Sequence, residues 1–262
     1  MDLRGLEPAR CSERVRAAEG RAPAWWHKLL FAWIFLQLAS MSLVWNLVAP
    51  LFGLLLPRHT AGVFGRGAVA VIYRSAWASA RWLGLMRIDA TALDALGAEP
   101  GGLVIAANHP TMLDALIVVT HLPRGVCVMK ADLLKNIFLG AGARLAQYIR
   151  NDSGRGMLRA AVATLREGNQ LVLFPEGTRT VRRPINAFKP GVTLIAHMAQ
   201  VPIQTVLIES DSGYLTKGWP LLKAPQMPVT IRLRLGERFA PDADHRAMLT
   251  RLERYFAQEI GP

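Results

Sequence analysis

The stretch Leu103-Val104-Ile105-Ala106-Ala107-Asn108-His109-Pro110-Thr111-Met112-Leu113-Asp114 decides how the chain reads. Five apolar residues run without interruption into a polar cluster, and a helical pattern follows over residues 112–121. A short continuous apolar run bounded by turn signals suits a strand buried on both faces. The same figure recurs at Leu171-Val172-Leu173-Phe174, which ends in Pro175-Glu176-Gly177-Thr178-Arg179. Strand-like runs also cover residues 126–129, 202–208 and 229–235. The last alternates apolar residues with Thr230, Arg232 and Arg234, as a half-exposed edge strand would. Helical patterns cover 131–148, 156–166, 192–199 and 243–258. Strands alternating with helices predict an α/β domain over residues 91–262, a mostly parallel sheet covered by helices. Open sheets of this kind place their sites at the carboxyl ends of strands, where both polar clusters fall.

Composition narrows the partners. A hydrophobic share of 52% supplies a core and excludes a disordered chain. The net charge of +12 calls for an anionic partner. Nucleic-acid binders concentrate their charge in runs with stacking aromatics. Here the cations are spread along the chain and most Trp lie in apolar segments, so a membrane face and phosphate are favoured and no nucleic acid is expected. Cys11 and Cys127 lie far apart without metal-ligand spacing, so neither a metal site nor a disulfide framework is expected, and a reducing compartment is the default. Cys127, in an apolar run, reads as a buried inert thiol.

Ahead of this domain, residues 1–28 form a basic leader. Residues 29–56 then carry no charge, bracketed by Lys28 and Arg58. Those 28 residues exceed the roughly 20 that cross a bilayer core as a helix. Trp25, Trp26, Trp33 and Trp45 suit its interfaces. The long leader of mixed sign and the lack of a small-residue cleavage site argue against a signal peptide. Cations flank both ends, so a single crossing and a helix broken near Asn46 to Pro50, returning to the same leaflet, both stay open. Over residues 61–88 Arg66, Arg74 and Arg81 form a basic stripe. It fits a helix in the headgroup layer or an ordinary surface helix of the domain. Residues 29–90 are thus expected to be membrane-associated helices.

The clusters carry the chemistry. A neutral imidazole is a competent general base, best when a carboxylate holds its second nitrogen. Within one regular helix His109 and Asp114 would point about 140° apart. A strand-end histidine and an aspartate in the first turn of the following helix can meet, and Pro110 suits a helix start. No G-x-S-x-G elbow supplies a nucleophile, so a substrate hydroxyl deprotonated by His109 would attack directly. Alone, the spacing is common and also fits a histidine that caps or packs. The second cluster changes the weighting: Arg179 can grip phosphate bidentately, although a Glu176–Arg179 pair bracing the turn is also open. Lys189, in Phe188-Lys189-Pro190-Gly191, adds a cation near a helix start.

Together these blocks resemble the glycerolipid acyltransferases, the lysophosphatidic acid acyltransferase group, over residues 100–210. Asn108-His109 through Asp114 is similar to the family's NH-x4-D block, Lys130 through Arg150 to its second block, Phe174 through Arg179 to its FPEGTR block, and Val201-Pro202-Ile203 to its fourth. The resemblance implies His109 as base and Asp114 as its orienting partner. It puts Glu176, Gly177, Thr178 and Arg179 in the acceptor site, with Arg150, Lys189 and Lys130 assisting. It implies an acyl-CoA or acyl carrier protein thioester as co-substrate, with no further cofactor. The acceptor would be lysophospholipid-like, and the domain would work at the cytoplasmic face of a membrane. A thioester is already activated, so proximity and a base suffice. Pro110-Thr111 and the altered second block, with Asn136, Gln147 and Asn151, depart from the family pattern. They leave open another lipid acceptor, such as a lyso-aminolipid. A transacylase or hydrolase using the same base, and a non-catalytic lipid-binding protein of this fold, are the competing readings.

Overall fold

The computed structural model describes residues 25–152, 154–182 and 184–261. The leader as far as residue 24, with Cys11, lies outside them. The uncharged run forms one continuous helix, α1 (Trp25–Leu55), with Pro50 inside it. It is long and apolar enough to cross a membrane. Of the two readings left open, the break at Asn46 to Pro50 is absent; the chain turns at Leu56-Pro57 into α2 (Arg58–Trp82). The two helices run antiparallel. Phe52 meets Phe64 at 4.6 Å between ring centres, and Gln37 Nε2 donates to Ser79 Oγ at 3.0 Å. Asn46 is buried for a different purpose: its Oδ1 accepts from Gly142 N at 2.9 Å, docking α1 on the domain.

Two arginines of the basic stripe of α2 bond to backbone carbonyls of the domain. Arg66 is buried and its Nη1 donates to the Ala146 carbonyl at 3.3 Å. Arg74 Nε donates to the Thr120 carbonyl at 2.7 Å. Arg66 alone of the three is buried; Arg74 and Arg81 stay exposed. Helix α2 ends before Gly84, whose φ of +70° turns the chain. The expected helix at residues 83–88 is therefore replaced by strand β1 (Met86–Asp89), followed by α3 (Ala92–Ala98).

The domain continues with β2 (Leu103–Ala107), α4 (Asp114–His121), β3 (Gly125–Met129), a 3₁₀ turn (Ala131–Lys135), α5 (Gly140–Leu145), β4 (Ile149–Arg150) and α6 (Gly154–Arg166). Then come β5 (Gln170–Leu173), α7 (Gly191–Ala199), β6 (Ile203–Ser210), β7 (Val229–Phe239) and α8 (His245–Ile260). The single helix expected over 131–148 is broken. Asn136 Oδ1 accepts from Phe138 N at 2.8 Å, and Gly140 packs on the Leu134 carbonyl, where a Cβ would sit 2.1 Å away.

The strands form one seven-stranded sheet in the order β1-β7-β6-β2-β5-β3-β4. Strands β6, β2, β5, β3 and β4 are parallel; β7 runs antiparallel to β6 and parallel to β1. Strand β7 is therefore not the expected edge. Its alternation marks one solvated face, where Arg234 Nη1 reaches Glu259 at 2.7 Å and its Nε reaches Glu209 at 3.0 Å. Every residue of β2 is buried, because apolar layers cover both faces. Ile105 and Ala107 face a core with Trp77, Leu93 and Ile117, while Val104 and Ala106 face Leu165, Ile195 and Phe256. Cys127 is buried there, and burial pushes its thiol up to about 12, so it stays protonated and inert.

Helix α2 lies on α5 through Gly65. A Cβ there would come within 2.7 Å of the Ala146 nitrogen and the Leu145 carbonyl carbon, both backbone. Gly65→Ala should therefore lower unfolding stability by about 1–3 kcal/mol, the usual overpacking cost. The effect is read from the urea midpoint in detergent. Gly62→Ala, which meets only the end of the Gln147 side chain, is the matched control and should cost much less.

Candidate active site

Strands β2, β5, β3 and β4 are adjacent and parallel, so their carboxyl ends share one rim of the sheet. Asn108 fixes the first exit. Its Nδ2 donates to the Ile208 carbonyl at 2.8 Å and its Oδ1 accepts from Ile208 N at 2.7 Å. The side chain thus continues the β2–β6 pairing one residue beyond the strand. His109 follows, held at both backbone groups: its N–H donates to Glu176 Oε1 at 2.9 Å and its carbonyl accepts from Thr180 N at 2.7 Å.

The chain then turns so that Asp114, the first residue of α4, comes back under the imidazole. His109 Nδ1 and Asp114 Oδ2 are 2.9 Å apart. Helix α4 begins at Asp114 rather than Met112, and this later start lets a spacing of five residues close. Asp114 is wholly buried. Besides His109 it accepts from Thr111 N at 2.7 Å and Thr111 Oγ1 at 2.6 Å. Three donors thus converge on its two oxygens. An imidazole that donates from Nδ1 carries its lone pair on Nε2, which makes no hydrogen bond among the described residues. The imidazole lies over Phe174, with ring centres 4.2 Å apart and planes 29° apart, and the His109 side chain is 19% exposed. The pair can take a proton from a molecule arriving at the rim.

The second cluster surrounds this pair. Glu176 is 3% exposed, and its carboxylate is filled from within: His109 N and Thr180 Oγ1 (2.7 Å) share Oε1, while Asn186 N donates to Oε2 at 2.9 Å. It braces the loop after β2 against its own loop after β5 and is not paired with Arg179. Arg179 points Nη1 at the carbonyls of Leu215 (2.8 Å) and Thr216 (3.0 Å). Gly177 has φ +68°, and Lys189 crosses above it so closely that a Cβ would meet Lys189 Nζ at 2.6 Å. Thr178 is half-buried. Lys130 and Arg150 are exposed at the ends of β3 and β4, Arg150 pairing with Asp152. Strands stand about 4.8 Å apart, so these two cations lie two and three strand spacings from His109, at roughly 10 and 14 Å along the rim. The structure thus brings His109, Asp114 and Glu176 into contact and spreads the other cations along the edge.

Sequence reasoning missed Thr111, Phe174 and the loop at Leu215, whose carbonyl also accepts from Met112 N at 3.1 Å. The Ser210-Asp211-Ser212-Gly213 turn signal marked that loop, but nothing in it pointed to the site.

A family model described as acyltransferase matches residues 89–209, from β1 to β6, and holds every element of this rim. Residues 89–209 are thus similar to the acyltransferase family. Among curated relatives of this acyltransferase domain, a probable 1-acyl-sn-glycerol-3-phosphate acyltransferase of Mycoplasma pneumoniae is 31% identical over 135 residues, 47% of this chain and 50% of that protein. The 1-acyl-sn-glycerol-3-phosphate acyltransferase of Helicobacter pylori is 30% identical over 152 residues, 55% and 62%. The chain spans about half the length of the curated relatives it matches, 48–62% for the first four. The crystal structure of the 1-acyl-sn-glycerophosphate acyltransferase of Thermotoga maritima shares the fold of the acyltransferase domain and its flanking elements. It has a TM-score of 0.69 at 18% identity and covers 89% of this chain and 96% of that one.

Proposed function

We propose that the chain transfers a fatty acyl group from an acyl thioester, acyl-CoA or acyl carrier protein, to a hydroxyl of a lysophospholipid-like acceptor. This serves phospholipid synthesis at a membrane, with the domain on the cytoplasmic face. The observation that carries the reading is the His109–Asp114 contact, which holds Nδ1 and leaves Nε2 as the base. His109 Nε2 takes the acceptor's hydroxyl proton as that oxygen attacks the thioester carbonyl. The tetrahedral intermediate then collapses, the C–S bond breaks, and the imidazolium returns the proton to the departing thiolate. Phe174 steadies the ring, Glu176 fixes the loop that carries it, and Gly177 keeps Lys189 close to the turn. Arg179, with Thr178 and Lys189 beside it, receives the acceptor's phosphate, and Lys130 and Arg150 extend the positive rim beyond it. The apolar α1 keeps this rim beside a lipid surface.

The test is to offer the purified protein in detergent both donors and a panel of lyso-lipids, aminolipids included, and to identify products by mass spectrometry. Acylated acceptor is expected; thioester cleavage to free fatty acid alone, or no reaction with either donor, would sink the reading. Arg179→Ala should raise the KM for a phosphate-bearing acceptor by about 10–100-fold, the worth of a charge-assisted hydrogen bond. The KM for an acceptor lacking phosphate should move far less. An unchanged KM would remove Arg179 from the acceptor site.

A further inference from the structure

A cleft of about 1760 Å³ among the described residues does not contain His109. It flanks the edge strand β4 and reaches the same rim at Arg150 and Asp152. Ala49, Pro50 and Gly53 of α1 and Leu56 just beyond it line the cleft together with Gly156, Met157 and Ala160 of α6. Its mouth carries Arg58 and His59 at the start of α2, Lys135 in the 3₁₀ turn and Arg144 on α5. None of these four has a carboxylate partner among the described residues. The two acids in the lining are Asp152, engaged by Arg150, and Glu167. The first turn of α2 adds to the positive field: Pro57 gives it no side-chain cap and it holds no acid.

We infer that this cleft seats the phosphorylated nucleotide end of a coenzyme A thioester, with Arg58, Arg144 and Lys135 binding its phosphates. The inference rests on the acyl-thioester reading and names where that donor lies. A thioester carbonyl at His109 must lead its carrier arm away along the rim. The phosphopantetheine arm is about as long as four extended residues, roughly 14 Å. The end of β4 lies three strand spacings from the end of β2, roughly 14 Å, so the arm delivers the phosphates to this cleft. Small-molecule sites commonly hold about 300–1,000 Å³, and the extra room suits a long ligand made of adenine, ribose and three phosphate groups. A cleft lined by α1 and α6 fits a slender nucleotide; the folded surface of an acyl carrier protein needs an open basic face instead.

Binding can be separated from turnover. In His109→Ala protein in detergent, calorimetry compares CoA with dephospho-CoA, before and after adding Arg58→Ala with Arg144→Ala. The double change should weaken CoA binding on the order of tenfold or more and shrink the preference over dephospho-CoA. Unchanged CoA affinity overturns the inference. So does intact CoA affinity combined with lost binding to phosphatidylglycerol vesicles, which would make the cleft a lipid-headgroup seat. Binding of acyl carrier protein without binding of CoA overturns it too. Should the double variant fail to fold, exposed Lys135→Ala carries the same comparison. CoA binding that depends on these cations in a protein that acylates nothing would support the cleft and sink the acyl-transfer reading. Acylation from acyl-CoA with a KM indifferent to them would do the reverse.

Discussion

His109→Ala is expected to lower the acyl-transfer rate by about 10²–10⁴, the contribution of a positioned general base. Its fold and membrane attachment should be kept. The size follows from what remains. Donor and acceptor still meet on the rim, so proximity survives, but nothing takes the hydroxyl proton as the C–O bond forms. The imidazole is partly exposed, and its loss leaves the backbone bonds of residue 109 to Glu176 and Thr180 intact. The unfolding midpoint should therefore move little. A variant transferring acyl chains as fast as the unaltered protein would show that the proton goes elsewhere.

Glu176→Ala should show the opposite pattern, a loss of stability that takes activity with it. The change deletes a buried acceptor and strands His109 N, Thr180 Oγ1 and Asn186 N. Each buried unpaired donor costs about 1–3 kcal/mol, and water entering the gap would recover part of it. A net loss of about 3 kcal/mol is expected. At roughly 2–4 °C per kcal/mol for a chain of this size, that lowers the Tm by about 6–12 °C. The rate should fall as well, at temperatures where the variant is still folded, because the loop bearing His109 loses its brace. A thermal melt and an assay on one preparation check both. An unaltered Tm would mean that Glu176 faces the acceptor and not its neighbouring loops.

Much of this was legible before any coordinates. Uninterrupted apolar runs gave β2 and β5, and the polar residues directly behind them marked the rim. What escaped was whatever depends on a partner distant in sequence. A glutamate in a Pro/Gly turn looks the same whether it meets a lipid or three protein donors, and only folding brings Asn186 to it. Strand β1 is four residues, Met86–Asp89, two of them charged, too short and polar to break a helical pattern. Strand β7 looked like an edge because alternation reports one wet face and is silent about β1 pairing alongside. Arg66 and Arg74 looked like headgroup ligands because a basic stripe does not say whether lipids or carbonyls await it.

Glu176 lies 67 positions beyond His109, yet the two are joined by one hydrogen bond. Between them run three strands, four helical segments and their connections, none of which supplies an atom to the joint. The carboxylate is a rivet through the fold, and residues can be gained or lost in the connections between α4 and β5 without displacing the imidazole. Such a chain can refashion the surface that chooses its lipid while the proton-transfer machinery stays where it is.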